Sequence, residues 1–65
     1  MPIVRIELYA GRTPEQKAAC ARDVVDAVVR NLGTTPEVTQ VVFVDVERHD
    51  WHVGGRIPPP PSVKA

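Results

Sequence analysis

The chain has little of several things that usually settle a small protein's class. Its 65 residues include one cysteine, one tryptophan, one tyrosine and one phenylalanine. The lone Cys20 rules out an intrachain disulfide, and no cysteine–histidine cluster offers a structural zinc site. No apolar run approaches the roughly 20 residues that a membrane span requires. Excess charge is also missing, because eight basic residues meet eight acidic ones for a formal net charge of +0. That balance argues against a nucleic-acid binder, whose affinity comes from neutralising phosphates. The first residues carry Arg5 and Glu7 in an alternating pattern rather than the apolar stretch of a signal peptide. The cytoplasm, where a lone thiol stays reduced, is the expected location.

These absences also bear on stability. A chain this short buries only about 60% of the surface its unfolded form exposes. With no disulfide and no metal site to staple it, association with other copies is the remaining way to hold it together.

What is present is a βαβ pattern, so the expected fold class is α/β (α+β), in one small domain over residues 1–57. Val4, Ile6 and Leu8 alternate with Arg5 and Glu7, which predicts a strand over residues 3–9 with one apolar face. Gly11 ends it. Thr13-Pro14-Glu15-Gln16 is a strong helix start: Thr13 can cap, Pro14 suits the first helical position, and Gln16 completes a capping box. The helix is predicted to run to about Leu32, with Ala21, Val24, Val25, Val28 and Leu32 on the inner face and Gly33 as its stop. Cys20 is expected beside that face as a small core residue.

Thr34-Thr35-Pro36-Glu37 reads as a short turn or a single helical turn. Thr39-Gln40-Val41-Val42-Phe43-Val44-Asp45-Val46 is a nearly unbroken β-branched run, as in a strand covered on both faces. Strand, helix and strand at this spacing predict a parallel pair with a right-handed crossover. Two strands and one helix cannot cover such a sheet, which again calls for partner subunits. Arg48-His49-Asp50-Trp51-His52 should be a loop, and Val53-Gly54-Gly55-Arg56 a tight turn or short hairpin. Pro58 to Pro61 open a proline-rich tail or arm over residues 58–65, extended because proline cannot continue a helix or a central strand.

The candidate chemistry starts at the amino terminus. Pro2 follows the initiator Met1, and aminopeptidases remove Met before a small residue such as proline. The exposed secondary amine would be a base unlike any side chain in the protein. Arg12 falls between a strand end and a helix start, where guanidinium and helix amides together suit a carboxylate. His49, Asp50 and His52 are ligand types, but two histidines three apart with no third partner make a poor metal site.

Pro2, the segment Gly11-Arg12-Thr13-Pro14-Glu15-Gln16-Lys17, the βαβ unit and Trp51 before Gly54-Gly55 together resemble the tautomerase superfamily. The nearest group is the small 4-oxalocrotonate tautomerase-like subfamily, and the likeness covers residues 2 to about 55. It implies βαβ chains paired into dimers, with three dimers forming a hexamer. The implied activity is cofactor-independent tautomerisation of small enol/keto acids, with Pro2 as general base. By the same resemblance Arg12 binds a substrate carboxylate, Trp51 takes the place of a usual Phe in the pocket wall, and Tyr9 and Val53 line the pocket. No metal, nucleic acid or membrane enters this chemistry.

The base is chemically reasonable. An α-amino group titrates near 7.7–8.0 and a proline amine somewhat higher. An apolar wall and nearby cations disfavour its ammonium form, leaving a free amine to take a proton and return it.

One position departs from the family pattern. The archetype has a second arginine, supplied by another subunit, that engages the substrate's 2-oxygen and a carboxylate. Here that position is Gln40, whose neutral amide can donate to an oxygen but stabilises developing negative charge less well. Arg5, Arg48 or Arg56 are sources of a replacement charge, each otherwise a solvated or interface residue. Related dehalogenases and hydratases use a further carboxylate near the double glycine, where this chain offers no Glu and only Asp50 nearby. The rival reading is a non-catalytic structural subunit of a tautomerase-fold hetero-oligomer, and a third is a small-ligand binding module.

Overall fold

The alternation in the first segment becomes strand β1, Ile3–Tyr9, and the β-branched run becomes strand β2, Gln40–Val46. Helix α1, Pro14–Leu32, connects them. The computed structural model describes residues 1–59; of the tail expected over residues 58–65, residues 60–65 lie outside the described residues. The strands pair in parallel with Ile3 opposite Gln40 and Tyr9 opposite Val46. Backbone bonds continue the ladder at both ends, Gln40 N–H to the Pro2 carbonyl and Ala10 N–H to the Val46 carbonyl, each 2.9 Å.

Each turn carries its cause in the sequence. Thr13 Oγ1 accepts from Gln16 N–H at 3.1 Å, and Gln16 Oε1 accepts from Thr13 N–H at 2.9 Å, which is the expected capping box. Gly33 stops the helix in the left-handed region at φ 70°, where a side chain would be strained, and its N–H donates to the Val29 carbonyl. Pro36–Val38 forms one 3₁₀ turn. A second 3₁₀ turn, Arg48–Asp50, replaces part of the expected loop. Val53 and Arg56 then exchange both backbone bonds across Gly54 and Gly55, whose positive φ angles of 62° and 79° match a type I′ hairpin turn.

The two faces of the sheet differ. Val4, Ile6 and Leu8 of β1, with Val41 and Phe43 of β2, turn toward α1 and are half-buried. Lys17 Nζ donates to Asp45 Oδ2 at 2.7 Å, tying the start of the helix to the end of β2. On the other face Ile3 is 63% exposed and Val42 43% exposed. A single chain therefore covers β2 on one side only. Among the described residues none is fully buried, so no closed core exists within one chain.

Two expectations about the helix change. Leu32, expected on its inner face, is 70% exposed. A 19-residue helix is about 28 Å long, while a seven-residue strand reaches only about 23 Å, so the last helical turn overshoots the sheet. Cys20, expected as a core residue, is also exposed. It lies at the rim of an open groove between helix and sheet, where no second layer closes over it.

Candidate active site

The expected site residues divide between two ends of β1. Pro2 is half-buried at the first end, its carbonyl held by the backbone of Gln40. The Gln40 side chain is exposed and shares the open face of the sheet with Ile3, its partner in the ladder. Tyr9 ends the same strand at the far end. Seven residue steps at about 3.3 Å each put Pro2 and Tyr9 roughly 23 Å apart. Trp51 packs on Tyr9, and Arg12 follows three residues after it at the same end of the strand. One chain therefore does not bring Pro2 to Arg12, and a pocket holding both must draw them from different chains.

At the far end the aromatic residues do meet. The rings of Tyr9 and Trp51 have centroids 4.7 Å apart and are tilted by 54°, an arrangement favoured by the opposite polarity of ring face and ring edge. Both are half-buried. Val53 follows Trp51 into the hairpin and is 64% exposed in the single chain. Glu7, Val46, Asp50, Trp51 and His52 border a shallow depression on this open face.

Arg12 directly precedes the helix cap and points along a different surface. With Ile6, Leu8, Phe43, Gln16, Lys17 and Cys20 it lines a groove of about 180 Å³ between α1 and the sheet. Ligand-binding cavities more often hold about 300–1,000 Å³, so this groove is a partial wall rather than a complete pocket. Among the described residues the guanidinium has no carboxylate partner, although Arg5, Lys17 and Arg30 each have one. An arginine at a helix start with no carboxylate partner among the described residues suits an anion from outside.

The other two expected sources of charge are placed as well. Arg5 is exposed and pairs with Glu7 at 3.2 Å, and Arg56 is exposed in the hairpin. Arg48 is different. Its guanidinium carbon lies 4.7 Å from the centroid of the Tyr9 ring, a contact that sequence reasoning missed. The register supplies the signal in retrospect: Tyr9 opposes Val46, so a residue two positions beyond Val46 falls beside the end of β1. His52 uses a ring nitrogen on the His49 carbonyl at 3.0 Å, and His49 approaches Asp50 at 3.6 Å. These contacts make the loop a self-contained turn.

A family model described as Tautomerase enzyme matches residues 2–58. The chain belongs to the tautomerase family. A probable tautomerase from Streptococcus pneumoniae serotype 4 is 50% identical over 57 residues, covering 88% of this chain and 95% of that one. Among solved structures, TomN is a 4-oxalocrotonate tautomerase homologue in the tomaymycin biosynthetic pathway. It superposes with a TM-score of 0.81 at 34% identity, covering 86% of each chain. A 4-oxalocrotonate tautomerase isozyme from Methylibium petroleiphilum gives a TM-score of 0.76 at 37% identity, covering 83% of this chain and 87% of that chain. The two-stranded parallel βαβ unit is thus the fold of the 4-oxalocrotonate tautomerase-like proteins, and membership supports tautomerase or isomerase activity in general. Among the described residues no helix is long and apolar enough to cross a membrane.

Proposed function

We propose that the protein is a cofactor-independent tautomerase of small enol/keto acids, with the amino group of Pro2 as general base once Met1 is removed. The observation that carries this reading is Arg12, an arginine at a helix start, beside an apolar groove, without a carboxylate partner among the described residues. In the proposed reaction the Pro2 amine takes the proton of the enol hydroxyl. The electron pair shifts to form the carbonyl, and the ammonium returns the proton to carbon. The amine is regenerated, so neither oxidant nor cofactor is needed. Arg12 holds the carboxylate, the Gln40 amide donates to the substrate oxygen, and Tyr9, Trp51 and Val53 form the dry wall.

The separation of Pro2 from Arg12 by most of a strand supports a pocket shared between copies, and the lack of any fully buried residue among those described supports a homo-oligomer. The hexamer, built as a trimer of dimers, is the assembly proposed. Gln40 in place of a second arginine favours monoacids over dicarboxylates, and the tilted aromatic pair favours a flat, conjugated substituent.

The test begins with intact mass, to establish whether Met1 is lost. Ketonisation of phenylenolpyruvate and 2-hydroxymuconate is then followed with the processed protein and with Pro2→Ala. The expected result is loss of Met1, turnover that prefers the monoacid, and a fall of about 10²–10⁴-fold in Pro2→Ala. A processed protein inert on both compounds would instead favour the structural-subunit reading.

A further inference from the structure

Six arginines are present, and five of them are exposed; Arg48 is half-buried. Among the described residues it has no carboxylate partner. A guanidinium partly withdrawn from water costs free energy unless other groups receive it. Two do. Its carbon sits 4.7 Å above the Tyr9 ring, within the range of a cation–π contact. Its Nη2 donates to the Pro58 carbonyl, just past the hairpin.

The backbone of the same residue holds the other ring. Trp51 N–H donates to the Arg48 carbonyl at 3.1 Å, closing the 3₁₀ turn that delivers Trp51 to Tyr9. The bond to Pro58 spans the hairpin of residues 53–56, which carries Val53. One residue therefore acts twice: its side chain stacks on Tyr9 and bonds the exit of the hairpin that carries Val53, while its backbone carbonyl closes the turn that carries Trp51.

We propose that Arg48 is the positioning residue of this wall: its guanidinium holds the Tyr9 ring, against which Trp51 packs, and anchors the exit of the hairpin that carries Val53, and so sets the affinity for a flat substrate. This rests on the reading that those three residues line the pocket. Arginine suits the task because its planar group stacks on a ring face while still donating in its own plane; a lysine ammonium has the charge without the plane. Arg48 is not assigned contact with the substrate, since one face of its guanidinium and one donor are already occupied.

The test uses the sole tryptophan, whose emission reports Trp51 without interference. The processed full-length protein is compared with Arg48→Ala and Arg48→Lys for Trp emission, near-ultraviolet circular dichroism, assembly state, and kcat and KM on phenylenolpyruvate. Both variants are expected to shift Trp51 emission to longer wavelength and to raise KM about tenfold, with kcat little changed. Lysine should fail to rescue. Recovery of wild-type emission and KM by lysine would overturn the proposal, because charge alone would then suffice. Unchanged emission in both variants, or shifted emission with unchanged KM, would overturn it as well.

If Arg48→Ala does not assemble, Tyr9→Leu with and without Arg48→Lys decides the matter. In the Tyr9→Leu background Arg48→Lys should add no further rise in KM, and an undiminished rise would refute the coupling. A wild-type protein inert on the substrate would sink the tautomerase reading on its own, and the emission measurements would still decide whether Arg48 holds the wall.

Discussion

The N–H of Gln40 donates to the carbonyl of Pro2 over 2.9 Å, so the residue proposed to donate to the substrate oxygen is backbone-bonded to the proposed base in the same chain. Both sit where the parallel ladder begins, and the Gln40 side chain projects from an exposed position on the open face. A change of side chain at 40 therefore alters charge near the ladder's first residues without disturbing the backbone bond that holds Pro2.

Gln40→Arg is expected to raise kcat/KM for 2-hydroxymuconate by about 10–100-fold relative to phenylenolpyruvate, since a charge-assisted hydrogen bond contributes about 1.5–3 kcal/mol. Steady-state rates on the two compounds check this. Equal changes on both would mean that position 40 does not read the second carboxylate.

Arg12→Ala should lower kcat/KM about 10–100-fold by the loss of a comparable bond, with thermal stability nearly unchanged because Arg12 is exposed and pairs with no carboxylate among the described residues. Kinetics and a melting curve on the same sample separate the two effects. A large loss of stability with rates preserved would move Arg12 from binding to structure.

Thr13→Ala removes one half of the capping box and should cost about 1 kcal/mol of stability at fixed protein concentration. Chemical denaturation measures it. Thr13→Ser, which keeps the hydroxyl, should retain most of the wild-type value.

Dilution should lower the unfolding midpoint, because a chain with no fully buried residue among those described draws its stability from association. Sedimentation and melting over a hundredfold concentration range provide the check. A midpoint independent of concentration, together with a monomeric mass, would contradict the oligomeric reading.

Local features were the most legible in the sequence. The Thr13–Gln16 box, the Gly33 stop and the Gly54-Gly55 turn appear where their residues call for them, because each depends on neighbours within a few positions. Leu32 and Cys20 were less legible. Helical spacing places both near an apolar face, but their exposure depends on how far the sheet extends and whether a second layer covers the groove. Arg48 gave no local sign of its role, since its partners Tyr9 and Pro58 lie 39 positions before it and 10 after it.

By itself, then, the sequence determined the order of elements, their ends and the family resemblance carried by Pro2 and the Gly11-Arg12-Thr13 segment. Those follow from backbone preference, hydrophobic period and side-chain chemistry, which act over short stretches of chain. The tertiary structure alone decided which candidates meet. It brought Tyr9, Trp51 and Arg48 together through the parallel register, and it set Pro2 and Arg12 at opposite ends of β1. An extended strand is a stiff spacer that advances about 3.3 Å per residue, so residues joined by one cannot fold back to share a pocket.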